Sequence, residues 1–237
     1  MKLRLVALAA LAAASFQAHA DTIGLWDFNT FSCSTACADN PPKGQTANGG
    51  SLSAVGGVTF SSAQGVPTSS NALNTSTYGL TATEPNLSRG VQFMIDTTGY
   101  TDVSLSFIQR NSSTASAWTT LQYTTNGTDW ITATSFQFTA AAGTWVSGLG
   151  YDFSSIADAN NNPDFGIRLL ASYAPNTSNF VGTSNPFANT GTIRYDNVTF
   201  SGTALPDITP VPEPQTYALM LAGLAAVGLL ARRRRLG

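Results

Sequence analysis

Through the middle of the chain, apolar side chains alternate with Ser, Thr, Asn and Gln in short runs, and turn residues separate the runs. Val103, Leu105 and Phe107 alternate with Ser104 and Ser106, the period-two pattern of a half-buried strand. Residues 23–28 read as a first strand, with Ile23 and Leu25 on one face and Trp26 and Phe28 on the other. Residues 55–60 read as a second, interrupted by Gly56-Gly57. Further strands are expected at 90–96, 118–125, around Trp130, Phe136, Phe138 and Trp145, at 165–169 and at 193–201. Asn126-Gly127 predicts a hairpin turn, because both residues tolerate positive φ. The apolar phase of the last run slips between Tyr195 and Val198, which predicts a bulge near Asp196-Asn197.

Two stretches depart from alternation. Residues 152–158 carry capping side chains and predict a single helical turn, ended by Asn160, Asn161, Asn162 and Pro163. Residues 31–50 are rich in Ser, Asn, Pro and Gly and predict a long surface loop. With about nine short strands and no amphipathic helix between them, the expected fold is all-β, a single β-sandwich or jelly roll.

The two ends have a different composition. Residues 1–20 begin with Lys2 and Arg4, continue as a short apolar run and finish Ala18-His19-Ala20. Basic start, apolar stretch and small-x-small site are the parts of a signal peptide, with cleavage expected after Ala20. The predicted organisation is a signal peptide at 1–20, a β-domain at 21–205, and a Pro-rich linker and tail at 206–237. His19 is the only histidine, so the mature chain has none, and a Ser-His-Asp or Cys-His site cannot form. Residues 21–205 hold eleven acidic residues against five basic ones, a net charge of -6, which gives no footprint for nucleic acid. Cys33 and Cys37 are the only cysteines, and in an oxidising compartment a local disulfide is the simplest reading. Free thiols are the alternative, since spacing across a tight loop can be unsuitable.

Pro206, Pro210, Pro212 and Pro214 make an extended linker. It leads into 15 uncharged residues, 217–231, and then Arg232, Arg233, Arg234 and Arg235. A membrane helix is expected at about 216–231, slightly short of the ~20 residues that cross the hydrocarbon core. The arginines should stay cytoplasmic. Val211, Pro212, Glu213 and Pro214, then a short apolar helix, then a basic cluster, resemble the PEP-CTERM sorting signal. That resemblance implies recognition and cleavage by an exosortase, with the Pro-Glu-Pro residues recognised rather than catalytic. It implies transient anchoring in the inner membrane, then the cell surface or extracellular matrix of a Gram-negative bacterium, in a setting of exopolysaccharide and biofilm. A permanent tail anchor is the alternative.

The body resembles, more loosely, the jelly-roll domains of carbohydrate-binding modules. The residues concerned are Leu25-Trp26-Asp27-Phe28, the hairpin around Asn126-Gly127 up to Trp130, and Arg194-Tyr195-Asp196-Asn197 near the end. The resemblance implies a structural calcium, at Asp196 with Asp27 or Asn29, as the one cofactor; the residues themselves single out no catalytic group. The alternative is that Asp196 caps a turn and Asp27 is solvated. Sugar rings stack on exposed aromatics, and Trp118, Trp130, Trp145 and Tyr151 are candidates, Trp118 and Trp130 foremost; the alternative at each is a place in the core. The expected function is a non-catalytic surface or matrix protein that binds envelope polysaccharide or acts structurally. The competing function is a glycan hydrolase with a carboxylate pair, Glu84 or an Asp supplying one member.

Overall fold

The computed structural model describes residues 20–34, 37, 43–79, 81–206 and 214–235. Residues 20–204 are an all-β body, and residues 205–237 are a separate unit. The strands are β1 (Ala20–Trp26), β2 (Gln45–Thr46), β3 (Gly50–Val55), β4 (Thr59–Gln64), β5 (Asn71–Ser76) and β6 (Gly90–Ile95). They continue with β7 (Tyr100–Asn111), β8 (Trp118–Thr124), β9 (Ile131–Gln137), β10 (Trp145–Asp152), β11 (Gly166–Ala171) and β12 (Ile193–Ala204).

The strands form two antiparallel sheets. One has five strands in the order β3-β6-β11-β8-β9. The other has seven, running β10-β7-β12-β1-β2, with β5 also on β12 and β4 on β5. With 12 residues, β12 is long enough to serve two neighbours end to end on one edge. Its first residues pair with β5, and residues 198–203 pair with β1. The changeover falls at Asp196-Asn197, where the register against β7 shifts and Asn197 has φ 49°. This is the bulge expected from the slipped apolar phase.

The core lies between the inner faces. Val91, Phe93 and Ile95 from β6 and Leu121, Ile167 and Leu169 from β8 and β11 meet Ile23, Leu105, Phe107, Tyr195 and Phe200 of the seven-stranded sheet. Trp26 joins the layers: its ring meets Phe93 edge-on at 5.2 Å and Phe200 at 6.0 Å. Both geometries suit the ring quadrupole and add to the burial of a large apolar surface.

Several expectations need correction. Ile23 and Trp26 are both buried, because β1 carries a register shift between Thr22 and Gly24 that rotates the strand. Residues 55–60 are not one strand. Gly56 and Gly57, with φ 67° and 81°, turn the chain from β3 in one sheet to β4 in the other. A Cβ on Gly56 would lie 2.0 Å from the Ser88 carbonyl oxygen, so only glycine fits this crossing. The helical turn is shorter and later than 152–158: a 3-10 turn at Ala157–Ala159. Phe153 cannot join it, because its N–H donates to Val103 at 2.9 Å and its ring is in the core. The hairpin after β8 exists, but as a longer loop. Asn126 Oδ1 accepts the N–H groups of Thr128 and Asp129 at 3.0 and 2.9 Å, and only Gly127 has positive φ.

In the tail, α1 runs Pro214–Arg235, 22 residues or about 33 Å. Leu219, Met220, Leu221, Leu224 and Val227 on it are exposed. Among the described residues no helix is long and apolar enough to cross a membrane. Ala18, Val211, Pro212 and Glu213 lie outside the described residues, as do the other residues of 1–19.

Candidate functional site

Strand alternation divides each sheet into an inner apolar face and an outer polar one. On the outer face of the five-stranded sheet, the register aligns Ser53, Gln92, Arg168, Gln122 and Thr132 in one row across all five strands. Arg168 donates through Nε to Gln92 Oε1 at 2.8 Å. The Trp130 ring lies over its guanidinium at 3.9 Å, a cation–π stack that fixes both groups. Burial lowers the Arg168 pKa from its ordinary value, and the group stays charged at neutral pH.

Further along the same face, a groove of about 360 Å³ opens beside Trp118. Its floor is Trp118 and Thr120 of β8 with Thr132 and Ser135 of β9. Its walls are the segment around Asn86 and the chain from Tyr173 to Thr177. The walls are tied to each other. Asn86 Oδ1 accepts the Tyr173 N–H at 2.8 Å, and the Tyr173 hydroxyl donates to the Glu84 carbonyl at 2.5 Å. Tyr173 also packs edge-on against Phe180, which stacks on Phe187, so the loop beyond β11 is anchored to the main core. From Trp118 to Gln122, beside Arg168, is about 13 Å along the strand. An aromatic floor, hydroxyls and amides, and then a Trp–Arg pair suit an extended polar ligand with flat apolar faces. Among the described residues, neither Asp nor Glu lines the groove.

Two other hollows differ in kind. One of about 530 Å³ is bounded by Ala82 and the loop from Phe180 to Phe187. One of about 450 Å³ lies between Asn126 and the turn from Ala157 to Pro163. Both are made largely of loop, whereas the Trp118 groove has a floor of paired strands that holds its side chains in place.

The remaining candidates are dispersed. Tyr151 packs on Phe153 at 4.8 Å, toward the core. Trp145 sits on the outer face of the other sheet, opposite Arg110. Cys33 and Cys37 are bonded to each other, with Cα atoms 6.5 Å apart. Glu84 is ion-paired with Arg89 at 3.8 Å. Asp196 is fully buried, and its two oxygens accept the N–H groups of Val66 and Asn197, each at 2.9 Å. Burial pushes its pKa up, those two hydrogen bonds oppose the shift, and the nearby Asp27 adds to it. Asp27 accepts the Asn29 N–H at 3.2 Å and its side-chain amide at 3.0 Å. The two carboxylates and the Asn29 amide are the oxygen donors calcium takes. Among the described residues, though, no group of three or more His, Cys, Asp or Glu could hold a metal ion. Gln92, Gln122 and Arg168 escaped the sequence reading. Their signal was there, since each is a lone polar residue between apolar neighbours in a strand and must point away from the core.

Residues 210–235 match the PEP-CTERM protein-sorting motif. The motif indicates an exported, membrane-transited surface protein and implies processing by an exosortase. No curated protein matches the chain in sequence. Among solved structures, the body is similar to a candidate sugar-binding protein from Bacteroides thetaiotaomicron (TM-score 0.48, 13% identity, 77% of this chain and 100% of that one). It is similar to the CBM22-1–CBM22-2 tandem domain of Paenibacillus barcinonensis Xyn10C (TM-score 0.44, 15% identity, 84% of this chain and 50% of that one). The third is the N-terminal cellulose-binding domain of Cellulomonas fimi β-1,4-glucanase C (TM-score 0.34, 15% identity, 74% of this chain and 99% of that one). The chain spans half of the tandem domain and 27% of a matching xylanase 10B chain from Clostridium thermocellum.

Proposed function

We propose that this PEP-CTERM protein is a non-catalytic glycan-binding protein of the cell surface or extracellular matrix of a Gram-negative bacterium. Its ligand is envelope polysaccharide or exopolysaccharide, as in a biofilm. The observation that carries the reading is the outer face of the five-stranded sheet, where the Trp118 groove and the Trp130–Arg168 stack lie on one rigid strand platform. Among the described residues the groove is lined by hydroxyls, amides and aromatic rings without a carboxylate, which suits binding better than hydrolysis, where two facing carboxylates are needed. The exposed Leu219, Leu221, Leu224 and Val227 suit a helix held in a membrane until the sorting motif is cut.

A pull-down on the producing cell's own exopolysaccharide tests the binding. Wild-type full chain should be retained, and Trp118→Ala should lose about tenfold in affinity. Equal retention of both would remove the groove from the proposal, and measurable glycan turnover would replace it with the hydrolase. The intact mass of the protein from the cell surface tests the export route. It should lack residues 1–20 and the apolar tail. A calcium ion at Asp27 and Asp196 belongs to the same proposal, since a cation between two neighbouring carboxylates relieves their repulsion. Calcium should raise the Tm of wild type and leave Asp196→Asn unmoved; a wild-type Tm indifferent to calcium sinks the assignment.

A further inference from the structure

The outer face of the seven-stranded sheet carries a row that no part of the proposed function uses. The register places Trp145 on β10 opposite Arg110 on β7, Arg110 opposite Arg194 on β12, Arg194 opposite Asn74 on β5, and Asn74 opposite Ser61 on β4. Two arginines therefore face each other directly across an antiparallel pair. Like charges so placed are destabilising. The arrangement is notable because residues 21–205 hold only five basic residues and are net acidic.

Neutral groups hold both guanidiniums in place. Arg110 Nε donates to the Gly143 carbonyl at 2.5 Å, and Gly143, with φ 82°, packs so close that a Cβ there would lie 2.9 Å from Arg110 Nη2. Arg194 donates through Nε to Asn74 Oδ1 and through Nη1 to the Gln64 carbonyl, each at 3.3 Å. Asn74 is held in turn by its amide donating to Ser61 Oγ at 3.0 Å. Among the described residues neither arginine has an acidic partner. The carboxylate of Asp196, two residues along β12 from Arg194, is taken by the Val66 and Asn197 N–H groups. Burial lowers the Arg194 pKa and the charge of Arg110 lowers it further, so each cation feels the other.

An anion between the two would reverse that repulsion and meet two guanidinium forks in fixed positions. Trp145 at one end of the row offers a ring face, and Asn74 and Ser61 at the other offer amide and hydroxyl groups. We propose that Arg110 and Arg194 form a second ligand site that takes the carboxylate of a uronic acid in an acidic polysaccharide, with Trp145 supporting the sugar ring. The site is on the opposite sheet from the Trp118 groove, so the two stand or fall separately.

The test is calorimetric titration of the full chain in detergent with a galacturonate hexamer, its fully methyl-esterified form, and inorganic sulfate. The acid hexamer should bind, the neutral ester should bind about tenfold or more weakly, and sulfate alone should compete poorly. Arg110→Gln and Arg194→Gln should each weaken the acid hexamer about tenfold, and Trp118→Ala should leave it unchanged. Raising salt from about 0.1 M to about 1 M should weaken the acid hexamer alone. Removing one of two facing cations should leave the ligand-free Tm the same or higher, which separates lost binding from lost folding. Equal binding of acid and ester, or unchanged binding in both arginine variants, would overturn the proposal. Sulfate competing as well as the hexamer would also overturn it, since the sugar would then contribute nothing.

Discussion

On the outer face of the five-stranded sheet, Arg168 has a glutamine on each side, Gln92 on β6 and Gln122 on β8, and a tryptophan ring above it. On the outer face of the seven-stranded sheet, Arg110 has Trp145 on one side and a second arginine on the other. The first arginine is satisfied within the protein and acts as a support for Trp130. The second pair is held by neutral acceptors, and among the described residues no carboxylate offsets its charge. A cross-strand register thus turns similar residues into a platform with a single cation on one face and an anion-seeking pair on the other. The loops deepen the contrast: the Tyr173–Phe180–Phe187 cluster raises a wall over the five-stranded face and gives it a groove.

The largest effect should come from removing what both faces share. Trp26→Ala takes out the ring that meets Phe93 and Phe200, and should cost about 3–5 kcal/mol in denaturant unfolding. Both binding activities should then disappear at the same denaturant concentration. If one outlasted the other, the sheets would not be a single cooperative layer pair.

Alkali should act next, and on the seven-stranded side. Tyr78 is buried, its hydroxyl 2.7 Å from Thr75 Oγ1, and burial pushes its pKa from 10.0 up to about 12. Burial pushes Tyr195 of β12 well up too, and Tyr78 adds to the shift. Folded values above unfolded ones mean that this stability is complete below pH 10.0 and is lost as pH rises through about 12. Tyr78 alone accounts for about 2–3 kcal/mol. Tyrosinate absorbance and unfolding should rise together in that window, and Tyr78→Phe should delay the transition. Titration of both tyrosines near 10 in the folded protein would show that they are not held in a dry core.

The smallest effect should separate a support from a ligand contact. Arg168→Gln removes the stack under Trp130, worth about 0.5–1 kcal/mol, and should weaken exopolysaccharide binding in the Trp118 groove a few-fold without touching uronate binding at Arg110 and Arg194. A loss as large as that of Trp118→Ala would make Arg168 a direct ligand contact.

The all-β class was legible because alternation is a local signal, and 103–107 and 165–169 state it plainly. So was the bulge at Asp196-Asn197, because a phase slip is visible within one strand. Partners across sheets were not legible. Nothing local to Gly56-Gly57 says that the chain changes sheets there, since that depends on the Ser88 carbonyl 32 residues on. The same limit applied to the site. Trp118 and Trp130 could be singled out as residue types, but Arg168 became part of a site only when β11 paired with β8. Arg110 and Arg194 are 84 positions apart and face each other only through the β7–β12 register.

The proposed function depends most directly on whether the five-stranded face of the sandwich meets the cell's exopolysaccharide. Amide hydrogen exchange of the full chain, with and without the producing cell's exopolysaccharide, localises the contact. Protection is predicted on β8, β9 and the 172–177 loop, whether or not an acidic polysaccharide also protects β4, β5 and β10. Protection confined to β4, β5 and β10, or none anywhere at saturating polysaccharide, would contradict it.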